Sequence, residues 1–132
     1  MSTATTASVS THILDTSIGR PAEGVAITLT ARSGADADWV TLGGSKTDAD
    51  GRCKDLPALP EGTTHVRLDF ETETYFVSKS KTEAEAQQDA PRVRDSGAFF
   101  PEVAITFAVV PGEHFHVPLL LNPFGYSVYR GS

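Results

Sequence analysis

Cysteine is almost missing from this sequence. Among 132 residues only Cys53 occurs, which excludes an intramolecular disulfide and favours a reducing compartment over a disulfide-stapled secreted scaffold. Basic charge is also scarce: 11 Lys and Arg face 17 Asp and Glu, for a net charge of −6. That balance argues against nucleic acid as a partner, and the acids are spread along the chain rather than massed in an acidic arm. No apolar run approaches the roughly 20 residues of a membrane span. The opening MSTATTASVS lacks the basic and apolar regions of a secretory signal, and the end is not a peroxisomal Ser-Lys-Leu address. A cytoplasmic protein with neither nucleic acid nor membrane as partner is expected. Among enzyme signatures, the Gly-x-Ser-x-Gly elbow, the phosphate-binding Gly-Lys-Ser/Thr loop and the His-Glu-x-x-His helix are all missing.

What is present is alternation with a period of two, within a length that suits one domain. In GVAITLTAR, Val25, Ile27, Leu29 and Ala31 share one face; in HVRLDFE, Val66, Leu68 and Phe70 do; in EVAITFAVV, Val103, Ile105, Phe107 and Val109 do. Shorter strand patterns lie in STHILD, DWVTLGG, FHVPLLLN and GYSVYR, with a weak one in GRCKDLP. Turn chemistry separates them in SIGRPAEG, RSGADAD, TDADG, PALPEGT, VPGE and NPFG. The expectation is an all-β fold, a two-sheet antiparallel β-sandwich of seven to eight strands. Residues 1–9 read as a flexible tail and 10–132 as the domain. Within it, 79–97 departs from the pattern. It is charged, and its TEAEAQQ stretch predicts one short helix capped by Thr82 and ended before Pro91.

Four histidines are the candidates for chemistry. In EHFHVPLLLN the apolar face is Phe115, Val117, Leu119 and Leu121, so His114 and His116 point together to the other face. Such a pair reads as surface or interface polarity, as a base near neutral pH, or as part of a metal site. No Cys or Asp pattern nearby supplies a third ligand, and no metal is expected. His12 lies opposite the face shared by Thr11 and Ile13. His65 lies among Arg67, Asp69 and Glu71 and reads as solvated. Arg52 follows a tight Asp-Gly turn, and Cys53 reads as packing. The tail Tyr129-Arg130-Gly131-Ser132 follows directly on a strand. Either it is a strand running out or its groups belong to a site.

Four separated blocks carry a resemblance: THILDTSIGRPAEGVAITL, TDADGRC, FFPEVAITF and HFHVPLLLNPFGYSVYRGS. Collinear from about Ser10 to Ser132, they resemble the transthyretin-related family, and within it the members that hydrolyse 5-hydroxyisourate. A histidine before ILD, the arginine of the DGR turn, His-aromatic-His before VPLLL and a terminal Tyr-Arg-Gly-Ser separate those members from the hormone carriers. Lys79–Gly97 is longer than the usual connection, Asn122 stands where Ser is frequent and Val128 where Thr is. The resemblance implies a transthyretin-like sandwich and a homotetramer, built as a dimer of dimers, with sites in the central cleft. It implies conversion of 5-hydroxyisourate to 2-oxo-4-hydroxy-4-carboxy-5-ureidoimidazoline without a cofactor. His12, Arg52, His116 and Ser132 would be catalytic, with either histidine as base, and His114, Tyr129, Arg130 and Gly131 would bind substrate. The alternative is a non-enzymatic, transthyretin-like binder of a small ligand.

Overall fold

Alternating side chains can bury only one face of a strand, so these strands are stable only when two sheets close over a shared interior. A computed structural model of the chain, which describes residues 6–78 and 98–131, shows that arrangement. The strands are β1 (Ser8–Asp15), β2 (Arg20–Pro21), β3 (Ala26–Arg32), β4 (Val40–Lys46), β5 (His65–Phe70), β6 (Val103–Ala108), β7 (His114–Asn122) and β8 (Gly125–Val128). One short helix, α1, covers residues 72–78 between β5 and β6. The first sheet has the order β2-β1-β7-β8 and the second β4-β3-β5-β6.

The interior is built from the faces that alternation selects. Ile27 and Leu29 of β3, Val66, Leu68 and Phe70 of β5, and Ile13, Leu119 and Leu121 of the first sheet are at most 1% exposed. Each such side chain contributes about 1.5–3 kcal/mol relative to leaving it in water. Cys53 is buried with them. Burial pushes its thiol above the ordinary value, which suppresses the reactive thiolate and fits the packing role expected.

Several details differ from the sequence expectation. The β1–β7 pair is parallel within otherwise antiparallel sheets. The turn after β6 explains it. Gly112 N–H donates to Thr6 O at 3.0 Å and Ser8 N–H to Glu113 O at 3.0 Å, so the chain enters β7 beside the start of β1 and runs alongside it. β1 begins at Ser8 and Ala7 is buried, so order extends into the stretch read as a tail. Arg20–Pro21 forms a two-residue strand inside an expected turn, whereas GRCKDLP yields only an isolated bridge at Arg52. The helix predicted in TEAEAQQ and the rest of 79–97 lie outside the described residues. α1 lies earlier, in TETYFVS.

The α1 segment adds Phe76 to the core, and Thr72 is buried as well. Tyr75 Oη donates to Asp15 Oδ2 at 2.7 Å, joining the helix to the end of β1. Asp15 is fully buried, and its Oδ1 also accepts the Ser17 N–H at 2.9 Å. Burial, together with the bond to Asp15, holds the Tyr75 phenol well above its ordinary value, so it remains a donor at any working pH. Hydrogen bonds to charged groups are each worth about 1.5–3 kcal/mol. Tyr75→Phe should lower unfolding stability by that amount in a denaturant titration, without changing the slope.

Candidate active site

The site is a strip across the outer face of the first sheet, assembled from four chain segments. At its centre, β1 and β7 pair in parallel with Ser8 opposite His114, Ser10 opposite His116 and His12 opposite Pro118. Partners across a ladder point to the same side, so all six share one face. The buried Thr11, Ile13, Val117 and Leu119 face the other way. Thr11 Oγ1 fixes the pairing from inside by donating to Val117 O at 2.7 Å.

The turn carrying Arg52 docks against the far edge of β1. Asp48 Oδ1 accepts the N–H groups of Asp50 at 2.9 Å and Arg52 at 3.1 Å, which shapes the Asp-Ala-Asp-Gly turn. Ile13 N–H then donates to Gly51 O at 2.8 Å. An antiparallel bridge sets Arg52 opposite His12. Position 51 requires glycine on two grounds: its φ is +78°, and an added Cβ would lie 2.4 Å from Ile13 O.

The C-terminal tail closes the opposite edge. β8 pairs with β7 up to Leu119–Val128, and an isolated bridge joins His116 to Gly131, whose N–H donates to His116 O at 2.7 Å. Carrying that register through the tail sets Tyr129 opposite Pro118 and Arg130 opposite Val117 on the inner side. Arg130 accordingly lies 4.4 Å over the Phe115 ring and pairs with Glu113 at 3.3 Å. A Cβ at Gly131 would come within 2.8 Å of His116 Cδ2, so the missing side chain leaves room for the imidazole. Ser132 follows and lies outside the described residues.

His12, Arg52, His114, His116 and Gly131 are therefore gathered on one face, in a strip about 14 Å wide across three strand spacings. Arg130 is directed away from it. His65 belongs to the second sheet, where its Nδ1 is 2.8 Å from Thr64 Oγ1. Two groups that the sequence reading passed over join the strip. Ser10 Oγ lies 2.7 Å from His116 Nδ1 and 2.8 Å from His114 Nε2, while Ser8 Oγ lies 2.6 Å from His114 Nδ1. The signal for them was the i, i+2 spacing of Ser8, Ser10 and His12 in SVSTH. Both nitrogens of His114 are thus engaged, whereas among the described residues His116 is held through Nδ1.

Electrostatics favour a neutral His116. Burial first, then the positive Arg52 and the neighbouring His12 and His114, hold it below its ordinary value of 6.5. Among the described residues, no group of three or more His, Cys, Asp or Glu is placed to hold a metal ion. No helix among those residues is long and apolar enough to cross a membrane.

The same arrangement of strands occurs in solved relatives. Transthyretin from Sparus aurata matches with a TM-score of 0.69 at 26% identity, over 93% of this chain and 95% of that one. A 5-hydroxyisourate hydrolase from Klebsiella pneumoniae matches with a TM-score of 0.64 at 36% identity, over 96% and 94%. Backbone likeness does not separate the two, and sequence likeness favours the hydrolase. A 5-hydroxyisourate hydrolase from Salmonella typhimurium is 39% identical over 126 residues, covering 94% of this chain and 80% of that protein. Residues 9–131, which include every described residue of the strip except Ser8, match the model of the HIUase/Transthyretin family, and the chain belongs to that family.

Proposed function

We infer that this chain hydrolyses 5-hydroxyisourate in urate degradation, opening the six-membered ring at an amide-type carbonyl. The activity of its hydrolase relatives supports this reading. The observation that carries it is the convergence of His12, His116 and Arg52, from three separate segments, on one face. A binding protein needs no such set. Hydrolysis needs a base for water and positive charge where the oxyanion develops.

His116 is the base in this mechanism. Its Nε2 takes a proton from water as the water oxygen attacks the ring carbonyl, and Arg52 stabilises the resulting negative charge. The C–N bond then breaks, and Nε2 returns the proton to the departing nitrogen. His12, beside Arg52 and diagonal to His116 at about 8 Å, orients water or substrate. Gly131 and Tyr129 flank the strip from the tail, and Ser132 follows them in sequence. Arg130 anchors the tail through Glu113 and Phe115, and His114 acts through its two serines.

A homotetramer built as a dimer of dimers fits the exposed edges. Among the described residues, β6 and β8 end their sheets with unpaired edges. Between the sheets there, a groove of about 220 Å³ is lined by Ile105, Phe107, Phe115, Val117, Val128 and the tail. An open edge beside an apolar groove suits a second copy of the chain. A reducing compartment such as the cytoplasm fits the lone, buried Cys53.

The test is ultraviolet decay of 5-hydroxyisourate generated in situ by urate oxidase. The protein should accelerate decay, and alanine at His12, Arg52 or His116 should each cut turnover by about a hundredfold, the ~2.7 kcal/mol expected of one such group. A folded protein giving only the spontaneous rate would replace the hydrolase with the small-ligand binder. The pH profile adds a signed expectation. A lowered pKa keeps His116 neutral to lower pH, so the acid limb of kcat/KM should have its midpoint below 6.5. Arg52→Gln removes one cause of that shift and should move the midpoint upward while slowing the reaction. A wild-type midpoint above 6.5 would remove His116 as the base.

A further inference from the structure

The hydrogen bonds along the β1–β7 seam form an unbroken line, Ser8–His114–Ser10–His116, with distances of 2.6, 2.8 and 2.7 Å. It runs from an exposed hydroxyl at the start of β1 to the half-buried ring at the centre of the strip. A serine hydroxyl gives one hydrogen and accepts others, and a neutral imidazole carries one N–H. Two orders of donors run in one direction through every link of the chain. In the first, His116 Nδ1–H donates to Ser10, Ser10 to His114 Nε2, and His114 Nδ1–H to Ser8. In the second, every donor is reversed, and His116 bears its hydrogen on Nε2.

We propose that Ser10 is a positioning residue that fixes His116 in the Nδ1–H form and connects it, through His114 and Ser8, to solvent as a proton path. This rests on the hydrolase reading. When Nε2 of His116 takes a proton from water, Nδ1 passes its own to Ser10, Ser10 passes its hydrogen to His114 Nε2, and His114 Nδ1 passes its hydrogen to Ser8. The Ser8 hydroxyl releases one hydrogen to solvent. No bond other than N–H and O–H changes, one proton enters and one leaves, and the chain ends in its second order. The same movement in reverse resets it, supplying a proton inward as Nε2–H protonates the departing nitrogen. The titratable or charged groups facing His116 are His12 on β1, Arg52 on the turn and His114 on its own strand. Among the described residues of the tail, Gly131 lies against its ring.

Ser10 is half-buried and on the outer face, so its replacement leaves the core intact. The test compares wild type, Ser10→Ala, Ser10→Thr and Ser8→Ala in the 5-hydroxyisourate decay assay, with thermal midpoints measured alongside. Ser10→Ala should lose about tenfold in kcat with KM within twofold and an unchanged thermal midpoint. Ser10→Thr should restore most of the rate. Raising the concentration of imidazole buffer should partly rescue Ser10→Ala and Ser8→Ala, but not wild type, because a mobile base replaces the severed path. An active wild type matched by Ser10→Ala overturns the path and leaves the hydrolase standing. A slow Ser10→Ala that neither threonine nor buffer restores assigns Ser10 a purely structural role and also overturns it. A folded wild type with no activity overturns both.

Discussion

The parallel pairing of β1 with β7 is the constraint on which the rest depends. The observed register keeps Ile13, Leu119 and Leu121 inside, and a slip of one residue would turn the apolar set outward. That register also puts Ser8 and Ser10 beside the two histidines and His12 beside Pro118. The buried bond from Thr11 to the Val117 carbonyl fixes it from within. Core packing and site geometry are two faces of one alignment. A change that weakened the interior of the seam would disperse the polar groups on its exterior.

The flanks of the seam are joined to it through backbone hydrogen bonds. On one side Gly51 lets a turn approach β1 closely enough to bond Ile13, and this delivers Arg52 opposite His12. On the other, Gly131 bonds the His116 carbonyl and leaves the imidazole room. Both glycines permit close approach where a Cβ would collide. The tail is secured from below by Arg130, stacked on Phe115 and paired with Glu113. The pair is exposed and contributes little to overall stability. Its geometric effect is to direct the chain end along β7.

The strands with one buried face were legible from alternation: Val66, Leu68 and Phe70 are all fully buried, and His114 and His116 share the opposite face of β7 from the core residues. Alternation is blind to strand direction, so the parallel β1–β7 pair could not be read from it. It is also blind to which distant segment comes alongside. Arg52 and Gly131 entered the site through the resemblance of whole motifs, because their approach depends on turns closing against β1 and β7. Ser8 and Ser10 were lost in a polar opening stretch, although they share the parity of His12. The helix over 72–78 was missed because Thr, Tyr, Phe and Val favour strands. Its burial of Thr72 and Phe76, four residues apart, is what marks it as helical.

In the proposed mechanism this seam holds His116 neutral, with its hydrogen on Nδ1 and its lone pair on Nε2. The direct measurement is a long-range proton–nitrogen correlation spectrum of the histidine rings, followed as a function of pH and assigned with a His116→Gln variant. His116 should show an Nδ1–H tautomer and a titration midpoint below 6.5. A hydrogen resident on Nε2, or a midpoint above 6.5, would contradict the mechanism.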